Sequence, residues 1–469
     1  MMSTPYQCVD CPKLIFRAYD IRGIVDQDMN ANVYFTLGFA LAELMKASGD
    51  MRVCVARDGR LSSEEYLWAL EQGLLANGAK PTRVGMLPTP LMYYTCAAKG
   101  FLHGLMITGS HNPKNYNGLK IILNGQTLKE EGITAIFELI KTLDKKAYPN
   151  HSVSSLHAID VLPDYIQAIS AHVKLSRPLK VVFDYGNGVG AAIGPQVFDA
   201  LGCDSINLNA TIDGNFPAHH PDPTVAANLV QLQQALIEHD ADVGIAFDGD
   251  ADRLGVVAAN GDIIWPDRLM MIFAQALLQQ QPQAKIVYDV KCSRQLPLFI
   301  KQLGGQEIMS ATGHSLVKSL MKHTHADLAG EMSGHIFFQD QWFGFDDGIY
   351  SACRFLAILS QYPSMDALLA TLPKKLASTP ELKIDIAEDK KFKFIEEFKA
   401  KARFDNAKRI AIDGLRIEYE HAWGLIRVSN TSPNLTVRFE GNTAADLASI
   451  EEQFRAQILS IDDQLVLPF

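Results

Sequence analysis

One short pattern recurs three times and constrains the fold more than anything else in this chain: a basic residue, a largely apolar β-branched run, then aspartate. It reads Arg52-Val53-Cys54-Val55-Ala56-Arg57-Asp58, Lys180-Val181-Val182-Phe183-Asp184 and Lys285-Ile286-Val287-Tyr288-Asp289. Such runs, bounded by polar turns, predict strands buried on both faces, as in the parallel sheets of α/β units. Helical periodicity follows each of them, over residues 64–75, 190–201 and 296–303, the last with Pro297 where a first helical turn tolerates it. The runs begin at Val53, Val181 and Ile286, intervals of roughly a hundred residues, which predicts three α/β domains of similar build.

Beyond about residue 375 the texture changes. A Lys-rich helical stretch (388–403) precedes strand-like runs at 414–419, 424–428 and 435–439, and a helix over 444–459 follows. The expected organisation is α/β domains at 1–153, 154–260 and 261–375 and a smaller α+β domain at 376–469. Residues 148–155 and 373–380 read as linkers, and the junction near 260–262 carries no linker signal.

Composition narrows the function. Lys and Arg number 43 against 53 Asp and Glu, a net charge of −10, the wrong sign for a partner that is nucleic acid or an anionic membrane. No apolar run approaches the ~18 residues of a membrane helix. The first dozen residues lack the layout of a signal peptide, so a cytoplasmic protein with no obligate protein partner is expected. Seven scattered cysteines suit reduced core thiols; Cys8 and Cys11 have CxxC spacing, but no second pair follows to complete a zinc site.

Five segments can carry chemistry. Thr108-Gly109-Ser110-His111-Asn112-Pro113 follows an apolar run, and its glycine and proline predict a sharp turn that exposes Ser110 at a strand end. Thr108 and Asn112 stand where a serine-hydrolase elbow needs glycines, so the segment reads either as an ordinary polar turn or as a hydroxyl able to accept and release a phosphoryl group. In Asp248-Gly249-Asp250-Ala251-Asp252-Arg253, three alternating carboxylates behind a strand offer hard oxygen ligands suited to Mg²⁺. Asp-x-Asp after a strand also fits a phosphatase that uses Asp248 as nucleophile.

Asp184 to Ala191 fits the GxGxxA dinucleotide fingerprint, but the acid expected after the next strand is missing, so a structural turn is the better reading and a dehydrogenase the weaker one. Gly330-Glu331-Met332-Ser333-Gly334-His335 pairs a carboxylate with a hydroxyl two residues on, a spacing able to read sugar hydroxyls. Arg427-Val428-Ser429-Asn430-Thr431-Ser432, closing near Arg438, suits a phosphate cradle or a plain polar hairpin loop.

In this order, and together with Phe16-Arg17-Ala18-Tyr19-Asp20-Ile21-Arg22-Gly23, the segments resemble the α-D-phosphohexomutases, most closely the bacterial phosphomannomutase/phosphoglucomutase branch. The resemblance implies four domains, heart-shaped around a central cleft, with one loop from each domain in the active site. It implies a phosphorylated Ser110, with Asp248, Asp250 and Asp252 holding Mg²⁺ beside it. Arg22, Lys120, His335 and Arg253 would surround the reacting oxygen. Tyr19, Lys291, Gly313, His314, Glu331 and Ser333 would line the sugar, and Arg427, Ser429, Asn430 and Thr431 would hold the phosphate that is not reacting. The implied reaction moves phosphate between the 6- and 1-positions of mannose or glucose phosphates, with a hexose 1,6-bisphosphate as intermediate and primer. Lys120 or His335, aided by Arg22, would take the hydroxyl proton. If Lys120 is the base, Arg22 is expected to lower its pKa. A sugar-phosphate sensor without turnover is disfavoured because Ser110 and all three aspartates are present.

Overall fold

A computed structural model describes residues 5–152, 156–429 and 433–469. The three recurring runs form the strands Arg52–Arg57, Lys180–Asp184 and Lys285–Asp289, each interior to its own sheet. Arg52–Arg57 lies between the parallel strands Lys80–Met86 and His103–Ile107, with Tyr116–Leu123 antiparallel beyond and Ile21–Ile24 next to that. Lys180–Asp184 lies between Asp204–Leu208 and Val243–Phe247, followed by antiparallel Leu254–Ala258. Lys285–Asp289 lies between Gln306–Ser310 and Leu328–Gly330, followed by antiparallel Ile336–Phe338.

One connectivity therefore serves all three sheets, with a functional consequence. The turn from the last parallel strand into its antiparallel partner carries residues 108–115 in the first sheet, 248–253 in the second and 331–335 in the third. Three of the five chemical segments thus occupy equivalent positions, at the strand ends where α/β sheets bind ligands.

The fourth sheet is wholly antiparallel. The antiparallel pair Ala422–Val428 and Asn434–Gly441 is at its centre. Helices Lys391–Lys401 and Ala444–Leu459 pack Phe398, Ile450 and Phe454 onto that sheet. Two segments differ from the sequence reading. Residues 373–380 are not a bare linker, because Ala377–Ser378 pairs with Asn434–Gly441. Ile263–Ile264 pairs with Leu254–Ala258, so the second sheet runs past the junction expected near 260–262.

Packing joins the first three sheets firmly. Met92 and Tyr94, Tyr165 and Phe198, and Met270 and Tyr350 belong to one continuous apolar core. The fourth sheet has its own core and docks differently. Its Trp423 and Leu425 meet Val290, while buried Arg416 stacks 3.7 Å over Trp423 and donates to the carbonyls of Val290 and Cys292. All seven cysteines are free thiols. Among the described residues, no helix is long and apolar enough to cross a membrane.

Candidate active site

The loop after His103–Ile107 turns sharply, as its sequence predicts. Ser110 sits in the left-handed region at φ +47°, its N–H donating 2.8 Å to Thr108 Oγ1. Its exposure differs from the sequence expectation: Ser110 is only 2% exposed, because it lies on the floor of a cavity rather than at a surface turn. The Ser110 hydroxyl donates 3.0 Å to Asp248 Oδ2 and lies 3.2 Å from His111 Nδ1. Burial, with Arg253 and Arg22 near, pushes His111 well below the usual histidine range, so it is neutral.

The acidic loop follows the buried strand Val243–Phe247 and brings all three aspartates inward, each fully buried. One carboxylate oxygen from each lies within 4.8 Å of the others. Thr89 at the start of helix Thr89–Lys99 fixes the middle one, its hydroxyl donating 2.6 Å to Asp250 Oδ2 and its N–H 3.0 Å to the Asp250 carbonyl. The Lys120 ammonium bonds both Asp250, at 2.8 Å, and Asp252. Burial and the two neighbouring aspartates push Asp248 well above the usual carboxylate range; for Asp250 burial is outweighed by Lys120, which holds it low.

Lys120 itself corrects an expectation. Burial opposes its charge, but Asp250 and Asp252, with Tyr93 and Asp346, hold Lys120 well above the usual lysine range, the opposite of the expected lowering. Arg22 turns instead to Asp20 and Asn112.

His335, at the end of the third equivalent turn, is clasped from both sides. Its Nε2 accepts a 3.1 Å bond from Arg253 Nε, and its Nδ1 lies 3.1 Å from Asp346 Oδ2, whose other oxygen accepts 2.8 Å from Lys318. The Arg253 N–H assigns the lone pair to Nε2. The turn closes through Gly334 at φ +91° and a 2.9 Å bond from Glu331 N–H to the His335 carbonyl. Glu331 Oε1 accepts 2.6 Å from Gly313 N–H, while its buried Oε2 makes no hydrogen bond. Tyr19 lies edge-on to His314, ring centroids 5.1 Å apart, and packs on Gly313.

On the far wall, Arg427 Nε donates 2.8 Å to Asp413 Oδ2, which also accepts 3.0 Å from Thr312 N–H and so ties the fourth sheet to the third. Lys291 donates 2.6 Å to Glu381, and buried Lys391 donates 2.8 Å to the Ser429 carbonyl. Asn430 and Thr431 lie outside the described residues. Arg438 is committed to Asp267 at 2.9 Å and to the Lys291 carbonyl.

A cavity of about 870 Å³ joins these walls, and its lining reaches from Tyr19, Arg22 and Ser110 through Arg253 and His335 to Lys291, Glu331, Ser333, Arg427 and Ser429. The expected catalytic and sugar-side residues thus share one space, with the aspartates beneath it. The dinucleotide-like turn stays outside that space. Val189 N–H donates 3.1 Å to the Gly249 carbonyl, and a Cβ on Gly188 would stand 2.8 Å from that oxygen, so the turn buttresses the acidic loop.

Comparison with known proteins gives this arrangement a lineage. The four domain families described as phosphoglucomutase/phosphomannomutase alpha/beta/alpha domains I, II and III and C-terminal domain match residues 13–147, 163–261, 265–376 and 381–457 in turn. The chain belongs to the phosphoglucomutase/phosphomannomutase family. It is 46% identical to the phosphomannomutase/phosphoglucomutase of Pseudomonas aeruginosa, with 98% of each chain covered. It is 45% identical to the phosphoglucomutase of Neisseria gonorrhoeae, covering 95% of this chain and 97% of that one. The crystal structure of a phosphoglucomutase/phosphomannomutase family protein from Burkholderia thailandensis superimposes with a TM-score of 0.91 at 43% identity, covering 98% of this chain and all of that one.

Sequence reasoning missed several residues of this site: His111, Thr89, Asp346, Glu381, Asp413 and Arg60. All but His111 reach the site from outside the five segments; among them only Asp-Gly-Arg at 58–60, directly after a motif strand, offered a local signal.

Proposed function

We propose that this family member reversibly moves phosphate between the 6- and 1-positions of mannose or glucose phosphates, through a phosphoserine at 110 and a hexose 1,6-bisphosphate. The observation that carries the proposal is the Ser110 hydroxyl, 3.0 Å from the acidic triplet, on the floor of a cavity walled by cations and a sugar-reading carboxylate. The relatives named above support a mutase, and nothing among them favours a phosphatase with Asp248 as nucleophile.

The aspartates fit Mg²⁺. Their oxygens are hard donors, and Asp250 Oδ1 and Asp252 Oδ1 are buried without a hydrogen bond, a costly state for a carboxylate lacking a further partner. When bound there, the ion would neutralise charge on the transferring phosphoryl group.

The chain's own residues account for the remaining steps. Transfer from phosphoserine breaks the phosphorus–oxygen bond at Ser110 Oγ and forms one to the sugar hydroxyl, whose proton needs an acceptor. We assign that acceptor to His335 Nε2, whose lone pair accepts from Arg253 Nε here and would be freed for the hydroxyl proton when Arg253 turns to the transferring phosphoryl group; Lys120 is an ammonium held by two carboxylates and has none to offer. Arg22 and Arg253 supply positive charge beside the transferring group. Glu331, through its unpaired Oε2, and Ser333 would read hydroxyls that look alike when the intermediate turns around. Arg427 and Ser429, with Asn430 and Thr431, would hold whichever phosphate is not reacting, and Tyr19, Lys291, Gly313 and His314 would line the sugar. The division into units at 1–153, 154–260, 261–375 and 376–469 belongs to the same proposal, with the second boundary moved past Ile264 to keep the second sheet whole.

The test is a coupled assay comparing mannose 1-phosphate, glucose 1-phosphate and glucosamine 1-phosphate with a trace of hexose 1,6-bisphosphate. Primer-dependent turnover of the first two is expected. Release of inorganic phosphate without isomerised product would overturn the reading.

A further inference from the structure

Arg60 follows the first motif strand and lies in none of the five segments, yet its guanidinium is spent on one of them. The residue is 2% exposed. Its Nη2 donates to the carbonyls of Ser110 at 2.7 Å and Asn112 at 2.6 Å, and its Nη1 to those of Pro113 at 2.7 Å and Tyr116 at 3.0 Å. Four of the five N–H groups of the side chain are thus used, three on the segment that bears the reactive hydroxyl and one on the first residue of the strand after it. Asp58 balances the charge, 3.2 Å from Arg60 Nε, and the same carboxylate oxygen accepts 3.2 Å from Gly109 N–H. A Cβ at Gly109 would stand 2.5 Å from the guanidinium carbon, so loop and side chain are in closest contact there.

The segment after strand Asp204–Leu208 closes the clamp from outside. Phe216 lies 5.0 Å over the Arg60 guanidinium and is itself left-handed at φ +51°, a conformation that a bulky residue adopts only when its surroundings impose it. Ser110 at φ +47° is the other such residue at this contact. Two unfavourable backbone conformations, one from the loop after His103–Ile107 and one from the segment after Asp204–Leu208, therefore flank a single side chain.

We propose that Arg60 is a positioning residue for phosphoryl transfer: by gathering the loop carbonyls it holds the Ser110 hydroxyl against the acidic triplet and turns those carbonyls away from the incoming anion. The proposal rests on Ser110 being the phosphoryl carrier. Arg60 touches no substrate, so its effect belongs in kcat and not in KM. Lysine in its place keeps the charge but has three donors from one point instead of a planar fork, and it cannot bridge four carbonyls.

The experiment compares full-length wild type, Arg60→Lys and Arg60→Ala at saturating bisphosphate primer. A misplacement of the hydroxyl on the ångström scale is expected to lower kcat by about a hundredfold in Arg60→Ala and at least about tenfold in Arg60→Lys. KM should stay within about threefold, and near-UV circular dichroism should remain that of the wild type. Millimolar guanidinium, and not equal sodium chloride, should restore part of the Arg60→Ala rate. Wild-type kcat in Arg60→Lys overturns the proposal. A loss in both variants that tracks loss of folded protein, or that guanidinium leaves unchanged, overturns it too, by assigning Arg60 to bulk stability. A wild-type protein without mutase turnover refutes the reading of Ser110 instead, so the two failures are distinguishable.

Discussion

Removing Arg427 separates binding from chemistry. The residue is 5% exposed, and its Nε lies 2.8 Å from Asp413 Oδ2. Burial works against its charge, but Asp413, Tyr19 and Glu381 together raise its pKa, so a full positive charge faces the cavity. A hydrogen bond from such a group to a phosphate contributes roughly 1.5–3 kcal/mol. At about 1.4 kcal/mol per factor of ten, Arg427→Ala should raise KM for glucose 1-phosphate by roughly 10–150-fold. Because the reacting oxygen is at the other end of the sugar, kcat should change by no more than about threefold. The substitution also leaves the Asp413 carboxylate unpaired toward an anionic substrate, so adding Asp413→Asn should recover part of the loss. Coupling product formation to glucose 6-phosphate oxidation at saturating primer gives both constants. A fall in kcat at unchanged KM would refute the phosphate-holding role, and a double variant no better than Arg427→Ala would refute the account of Asp413.

Chelation should abolish turnover and Mg²⁺ should restore it; Asp250→Asn, which leaves two carboxylates in the cluster, should shrink the Mg²⁺-induced rise in Tm and cut kcat by about a hundredfold or more. Stability should also carry a pH signature from Asp347, which caps helix Gly348–Leu359 and meets Tyr165 and Trp342 in the core shared by the first three sheets. Burial pushes its carboxyl up to about 7 despite bonds from the Tyr350 N–H, Tyr165 and Trp342. Between the unfolded carboxyl value near 4 and about 7 the native protein holds a proton that the unfolded chain releases, so stability falls as pH rises through that window. The loss is on the order of 4 kcal/mol, at about 1.4 kcal/mol per pH unit. Thermal unfolding between pH 5 and 8 should show a shallower decline for Asp347→Asn than for wild type; equal slopes would contradict this.

Much of the fold is legible in the sequence because buried central strands must be apolar along their length. That requirement makes Arg52–Arg57, Lys180–Asp184 and Lys285–Asp289 visible, and helix Ala444–Leu459 appears with the expected ends because Thr443 and Asp446 form a capping box. The loops are legible because their chemistry is local: Gly109 beside Ser110, and three alternating aspartates. What holds those loops is not legible. Thr89 reaches Asp250 only once the first and second sheets have packed, and Arg60 reaches Ser110 and Asp413 reaches Arg427 only once neighbouring strands of one sheet have paired. Lys391 lies in a stretch that reads as a solvated charged helix, yet it is buried against the Ser429 carbonyl. The state of Lys120 is hidden for the same reason. Its neighbours in sequence are apolar, and the carboxylates that fix its charge come from the second sheet.

The most direct test is to incubate the purified protein with hexose 1,6-bisphosphate, map its peptides by mass, and then add hexose monophosphate. One acid-stable phosphoryl group on Ser110 that moves to the added sugar, and its absence from Ser110→Ala, is the predicted result. Turnover with Ser110 unmodified, or an acid-labile phosphoryl group on Asp248, would contradict the account.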